Sequence, residues 1–300
     1  FGKKYNYAFG YSMSSLTNMF SLAVIKRLYK TESALWIQDL WPDSVYEYGI
    51  VKKNSLNASL LKSYVKFIYN SFNKFAISSK YFEEHILKYN NKSPQIIYAP
   101  NWPDKDENKL IDTGNLLNKK RINFTFAGNI GKFQNLELII KAFDDLQLSI
   151  KEKCQLNIIG DGSNFKYLKN IAKSKNIIFF GYIDYKEIYS YLANSDYLIV
   201  SLKNSDVFRK TVPSKFQTYL KVKKPIFGVI KGETQDLIDK FSLGICANPD
   251  DVNDIKSKFL KLINTNEEEK KKYLVNNDYL LSKVFNEKVI IDNLLKFLIK

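Results

Sequence analysis

Residues 196–230 read "DYLIVSLKNSDVFRKTVPSKFQTYLKVKKPIFGVI": a short apolar run, a polar stretch, a helical period and a second apolar run. Both apolar runs are too short for a core helix and carry no alternation, as expected of strands buried on both faces. A strand, a helix and a strand in that order make a parallel pair joined by a crossover. The pattern repeats upstream. "INFTFAGN", "CQLNIIGDG" and "IIFFGY" read as strands, while "NLELIIKAFDDL", "NFKYLKNIAKSK" and "DYKEIYSYLANS" between them read as helices. After "PIFGVI" comes the helix "ETQDLIDKF". Alternation of this kind specifies a parallel sheet covered on both faces, a doubly wound α/β domain.

The amino-terminal part is less regular. "SLTNMFSLAVIKRLYK" places Leu16, Met19, Phe20, Ala23, Val24 and Leu28 on one helical face. "SALWIQDLWPD" reads as a buried strand ending in a polar loop, Ser55–Phe72 as a helix, and "KFAISSKYFEEHILKY" as strand, turn and helix. "QIIYAPNWPD" is a further strand, and the polar "DKDENKLIDTGNLLNKK" is the expected linker. "FGKKYNYAFGYS" reads as mid-domain sequence with no strand pattern before it, so the first domain is expected to be partial at its amino terminus. "NEEEKKKYL" is expected to be a solvated helix with acids at its start and lysines one turn later, and "FNEKVIIDNLLKFLIK" a final amphipathic helix. The expected domains are residues 1–104, 105–284 and a carboxyl-terminal helix at 285–300.

The 300 residues carry 46 Lys and Arg against 31 Asp and Glu, a net charge of +15. The cations are scattered, without the basic helix or RNA-binding aromatic motif of a nucleic-acid-binding protein, and that class is set aside. Most of the charge reads as a compositional bias towards lysine, and an anionic membrane surface or an anionic substrate are its functional readings. Cys154, Cys246 and His85 have no metal-ligand spacing, and no apolar run approaches the ~20 residues of a membrane span. The expected location is the cytoplasm, peripheral on the inner face of the membrane.

In open α/β sheets, ligands bind beyond the carboxyl ends of the strands. "FAGNIGKFQN" offers Gly128 and Gly131 for close backbone approach to a phosphate, followed by a helix amino terminus. "GDG" (Gly160–Gly162) follows the next strand, and Asp161 within it is counted among the candidate substrate-binding residues. For each, a plain βα turn is the default reading. "TVPSKF" puts Pro213, Ser214 and Lys215 at a helix start, with Lys215 read as an exposed cation. A helix dipole disfavours a cation there unless both face a bound anion, such as a phosphate.

The order of these features, from "FAGNIGKFQNLELIIKAF" through "LNIIGDG" and "IIFFGYIDYKEIYSYLANSDYLIVSL" to "VPSKFQTYLKVKKPIFGVI", resembles the carboxyl-terminal domain of family 4 glycosyltransferases of the GT-B fold. With "IQDLWPDS" in the first domain, it is most similar to bacterial transferases of surface-polysaccharide synthesis, including N-acetylfucosamine-type transferases. The resemblance implies two Rossmann-like domains facing a cleft and a retaining transfer from a nucleotide-diphosphate sugar, taken as UDP-linked, to a lipid-linked glycan. It implies no resident cofactor and no metal, with lysines and helix termini facing the diphosphate. Gly128 and Asn129 would form the glycine loop, Lys132 would add a charge, and Ser214 and Lys215 would hold the diphosphate. Thr218 stands where a ribose-binding glutamate is usual, and Asn129 and Gln134 where an arginine and a lysine are usual. Asp39 is the candidate catalytic residue, with a turn cap as its plain reading; Trp41 is either packing or a sugar platform. His85 is read as a surface residue. The alternative is a non-catalytic protein of the same fold, suggested by the Thr218 and Asn129 departures.

Overall fold

The computed structural model describes residues 5–13, 15–104 and 117–299. Most of the expected linker lies outside the described residues. Contacts divide the chain into two compact units, one of Phe1–Trp102, Lys210–Val212 and Lys283–Lys300, the other of Pro103–Arg209 and Pro213–Ser282.

The first unit is built on a four-stranded parallel sheet in the order β1 (Tyr7–Ser12), β2 (Glu32–Ile37), β3 (Lys74–Ile77), β4 (Gln95–Tyr98). Strand β1 falls within "FGKKYNYAFGYS", to which the reading from sequence gave no element. Tyr7, Phe9 and Tyr11 point to solvent while Gly10 and Ser12 are buried, a period of two hidden among lysines and glycines. Tyr11 packs on Trp36 of the neighbouring strand at 5.1 Å between ring centroids. Helix α1 (Met19–Tyr29) buries Met19 and Ala23; Phe20, Val24 and Leu28, expected on the same face, are exposed. Helix α2 (Leu56–Asn70) starts on Ser55, whose hydroxyl accepts from Ala58 N at 3.2 Å. Helix α3 (Phe82–Tyr89) follows β3.

The second unit holds six parallel strands in the order β10, β9, β8, β5, β6, β7. Their ranges are β5 Ile122–Ala127, β6 Cys154–Ile159, β7 Ile177–Gly181, β8 Tyr197–Ser201, β9 Ile226–Val229 and β10 Gly244–Ala247. Between and after them run α4 (Leu136–Asp144), α5 (Phe165–Ile171), α6 (Tyr185–Ala193), α7 (Lys215–Val222), α8 (Glu233–Lys240) and α9 (Val252–Ile263). The reading from sequence ended with α8 and missed β10 and α9. Helix α9 is capped by Asp251, which accepts from Asn253 N and Asp254 N. It supplies Phe259 to an aromatic core with Phe124 (4.9 Å) and Phe227 (4.8 Å). The opposite side chains of β5 and β6 are polar yet buried, and they satisfy one another: Asn157 Nδ2 donates to Asn123 Oδ1 and Thr125 Oγ1, and Ser195 Oγ donates to Thr125 Oγ1.

Strand order reverses at β5, which pairs with β6 on one side and β8 on the other. This is the topological switch point, where the loops after β5 and β8 diverge and leave a crevice.

The tail carries the expected short helix, Glu267–Lys272, with Lys270 Nζ 2.8 Å from Glu267 Oε1. The last helix, α10 (Glu287–Ile299), packs in the first unit, its Ile290 and Leu294 joining a cluster with Trp36, Ala76 and Ala99. Lys74 Nζ donates to the carbonyl of Leu298 at 3.2 Å.

Candidate functional site

The loops after β5 and β6 interlock at the carboxyl edge of the second unit's sheet. Gly128 N donates to Ile159 O at 3.0 Å, Ile130 N to Asp161 O at 2.8 Å, and Asn164 N to Ile130 O at 2.9 Å. Gly160 (φ +126°) lies so close that a Cβ on it would stand 1.9 Å from the Gly128 carbonyl oxygen. A Cβ on Gly162 would meet Asn129 Oδ1 at 2.5 Å. The two glycine-containing turns are therefore one rigid platform, and its glycines are dictated by backbone contact.

Lys215 reaches this platform from the first turn of α7. Its ammonium stands 3.7 Å from the centroid of the buried Phe126 ring and donates to Gln134 Oε1 at 2.6 Å. A Cβ on Gly128 would lie 3.5 Å from Lys215 Nζ. The exposed cation read from sequence is thus half-buried, and desolvation pushes its pKa down to about 7. Gln134, noted from sequence only as a departure, is the group that holds the ammonium. It is itself fixed by Ser201, whose Oγ donates to the Gln134 carbonyl at 2.6 Å. Tyr219 braces α7 against β5, its hydroxyl accepting from Ala127 N at 3.0 Å.

The remaining candidates of this unit fall around that point. Asn129 is exposed beside Gly131 and Gly162. Asp161 Oδ1 accepts from Gly162 N at 2.7 Å, a turn role. Ser214 precedes α7, exposed and without a side-chain capping bond, and Thr218 is half-buried one turn further on. Lys132 begins a one-turn 3₁₀ helix and lines a cavity of about 560 Å³ with Asn135, Asn164, Tyr167, Lys203 and Asp250.

Asp39 belongs to the first unit. Its Oδ1 accepts from Leu40 N at 2.8 Å and its Oδ2 from Ser44 Oγ at 3.0 Å, the geometry of a turn cap. Burial nonetheless raises its pKa, against the lowering pull of Ser44, Leu40 and His85. His85 is not a surface residue but 2% exposed. Its Nε2 donates to the Trp41 carbonyl at 2.8 Å and its Nδ1 lies 3.3 Å from Asp43 Oδ2. Burial would raise the Asp43 pKa, but the hydrogen bond and charge of His85 outweigh it and hold that carboxyl below the usual range. The sequence held the signal: Phe82, His85, Ile86 and Tyr89 share one helical face, and all four are buried. Trp41 is partly buried against the first unit's core. Among the described residues, no three His, Cys, Asp or Glu side chains come together as a metal group.

A parallel sheet with a switch-point crevice, a glycine platform and a lysine at a facing helix start define a Rossmann-like unit. With the first unit's parallel α/β sheet, the class is the two-unit GT-B fold. The model of the group 1 glycosyl transferases matches residues 107–280, more than half of the chain, and the chain belongs to that family. It is similar to a probable glycosyltransferase, WbjE, of Pseudomonas aeruginosa, with 28% identity over 72% of this chain and 56% of that protein. An uncharacterized glycosyltransferase of Methanocaldococcus jannaschii, MJ1069, is 28% identical over 71% of this chain and 55% of its own length. The chain therefore spans little more than half the length of these relatives. Among solved structures, Anabaena Alr3699/HepE in complex with UDP and glucose superposes with a TM-score of 0.74 at 11% identity, covering 98% of this chain and 78% of that one. A UDP-forming α,α-trehalose-phosphate synthase of Burkholderia xenovorans, in complex with glucose-6-phosphate, gives 0.74 at 11% identity, covering 99% and 73%.

Proposed function

We propose that this chain carries the donor-binding machinery of a retaining glycosyltransferase, which moves a sugar from a UDP-linked donor to a lipid-linked glycan in surface-polysaccharide synthesis. One observation carries the reading: the Lys215 ammonium, half-buried at the start of α7, faces the Gly128 backbone beside the β5–β8 switch point. Burial and the helix dipole both work against a cation there, and an anionic diphosphate relieves both. As the glycosidic bond breaks, negative charge grows on the departing β-phosphate. A lysine aimed at it, with the α7 amino terminus, stabilises that charge without a metal ion. Asp39 is proposed to meet the sugar or the acceptor. The acceptor is proposed to lie at the anionic inner face of the cytoplasmic membrane; no helix among the described residues is long and apolar enough to cross one.

Calorimetric titration with UDP and with uridine tests the donor reading. UDP should bind more tightly than uridine, EDTA should leave UDP binding intact, and Lys215→Met should bring UDP towards uridine. Equal affinities for both ligands in the unaltered protein would refute it. Thr218, where the family resemblance leads one to expect a glutamate, favours a second reading, a non-catalytic member of the fold. Hydrolysis of a nucleotide-sugar donor, present or absent, separates the two.

A further inference from the structure

Lys132 and Gln134 stand in one 3₁₀ turn but face different places. Gln134 holds the Lys215 ammonium, whereas Lys132 lines the cavity of about 560 Å³, which none of Phe126, Gly128, Gln134 and Lys215 lines. The cavity walls come from five segments of the second unit: that turn, the starts of α4 and α5, and the loops after β8 and β10. Hydrogen bonds between segments fix these walls. Asn135, buried in a left-handed conformation (φ +56°), donates from Nδ2 to the Pro249 carbonyl at 2.7 Å. Lys203 N donates to Phe133 O at 2.9 Å, and Asn164 N to Ile130 O at 2.9 Å. Arg209 Nε donates to Asn204 Oδ1 at 2.6 Å, and Asn204 Nδ2 donates in turn to Asp250 Oδ2. The cavity is therefore preformed, and its volume is that of a small-molecule site.

The lining says what would fit. Both of its acids are engaged by neutral donors, Glu137 by the Tyr167 hydroxyl at 2.9 Å and Asp250 by Asn204. Among the described residues, neither the Lys132 nor the Lys203 ammonium has a hydrogen-bond or ion-pair partner, and the Asn164 side chain makes no cap bond. Two cations on one cavity disfavour each other, and an anionic group bound there favours both. Each carboxylate keeps acceptor capacity beyond its one bond, and the carboxamides both donate and accept. A hydroxyl donates one bond and accepts two, so it finds both kinds of partner on this wall. Leu138, half-buried, and the exposed Tyr167 ring add apolar area for the C–H face of a sugar ring. A flat aromatic ligand would leave most of these polar groups unmatched.

We propose that this cavity is a second ligand site, apart from the nucleotide site, for a small sugar carrying an anionic group. Lys132 and Lys203 meet the anion, and Glu137, Asn164 and Asp250 meet the hydroxyls. A phosphate ester and a carboxylate offer the same chemistry to the two lysines. The site takes Lys132 from the diphosphate, where its place in sequence had put it, and uses none of the groups around Lys215. It therefore stands whether or not the donor reading does.

The test is calorimetric titration of the 300-residue chain with glucose 6-phosphate, glucuronate, glucose and inorganic phosphate, with and without saturating UDP-glucose. One of the anionic sugars should bind at least about ten-fold more tightly than glucose or phosphate, each of which lacks half of the match. The tighter of the two names the anion. Lys203→Gln removes one charged hydrogen bond and should weaken that binding at least about ten-fold; Asn164→Ala removes a neutral one and should weaken it roughly five-fold. Neither side chain is bonded within the fold among the described residues, so thermal midpoints and UDP affinity should stay unchanged. Failure of both anionic sugars to bind, or unaltered binding in both variants, would overturn the proposal. Glucose or inorganic phosphate binding as tightly as the anionic sugar would do the same, since the site would then read only one half of the ligand. Displacement by UDP-glucose would also overturn it, because the cavity would then belong to the donor site. Anionic-sugar binding by a chain that shows no UDP affinity supports this site and removes only the donor reading.

Discussion

Raising the pH from 6 to 8 should weaken the binding of UDP-glucose about ten-fold through a single group, Lys215. Burial alone brings its pKa down to about 7, so its ammonium is roughly 90% charged at pH 6 and roughly 10% at pH 8. The diphosphate of a nucleotide sugar is a diester and keeps both negative charges across this range. Binding it beside Lys215 raises the lysine pKa in the complex, so affinity follows the charged fraction of the free protein. At pH 7.5, complex formation should therefore draw about 0.75 proton from the buffer. Titration calorimetry in two buffers of different ionisation enthalpy reads that number directly. Lys215→Met should abolish the uptake, flatten the pH profile and weaken binding at pH 6 by ~1.5–3 kcal/mol, the worth of a charged hydrogen bond. Stability runs the other way. The folded pKa lies below the unfolded value of 10.5, so the unfolded chain binds more protons between about pH 7 and 10.5, and stability rises with pH across that window. The variant should lose that rise. A flat binding profile in the unaltered protein, or the same slope in Lys215→Met, would refute the assignment.

Gly160→Ala places a Cβ 1.9 Å from the Gly128 carbonyl at a φ of +126°, and should cost at least ~1–3 kcal/mol, read as a fall of several degrees in thermal midpoint; an unchanged midpoint would mean the two loops do not interlock. Thr218→Glu should tighten UDP binding by ~1.5–3 kcal/mol if the new carboxylate accepts from the ribose hydroxyls, and unaltered affinity would remove position 218 from the donor site. His85→Leu removes the donor to the Trp41 carbonyl and the partner of Asp43, and urea unfolding should show a loss of ~1–3 kcal/mol; a neutral result would mean that those groups find other partners.

The doubly wound sheet was legible because its signals are local. Runs such as "DYLIVSL" and "CQLNIIGDG" declare strands by length and composition, and the helices between them declare a period near 3.6. Chain chirality then leaves few ways to connect them. The same local signals marked Gly128 and Lys215 as candidates, because glycine after a strand and a cation in a first helical turn are each unusual for their place. They also held His85 and β1, in a shared helical face and in an alternation of aromatics, though composition masked both.

What stayed hidden depends on partners far along the chain. Lys215 and Gln134 are 81 residues apart, and nothing local to either tells that the amide would take the ammonium or that Phe126 would lie beneath it. The lysine's depressed pKa follows from that enclosure, since desolvation is a property of everything packed around a group and not of the group's neighbours in sequence. The polar face of β5 and β6 is buried for the same reason: Asn157, Asn123, Thr125 and Ser195 come from three segments and are satisfied only once the sheet has assembled. Period, capping and chirality act over a few residues, whereas burial and charge environment exist only between segments that folding brings together.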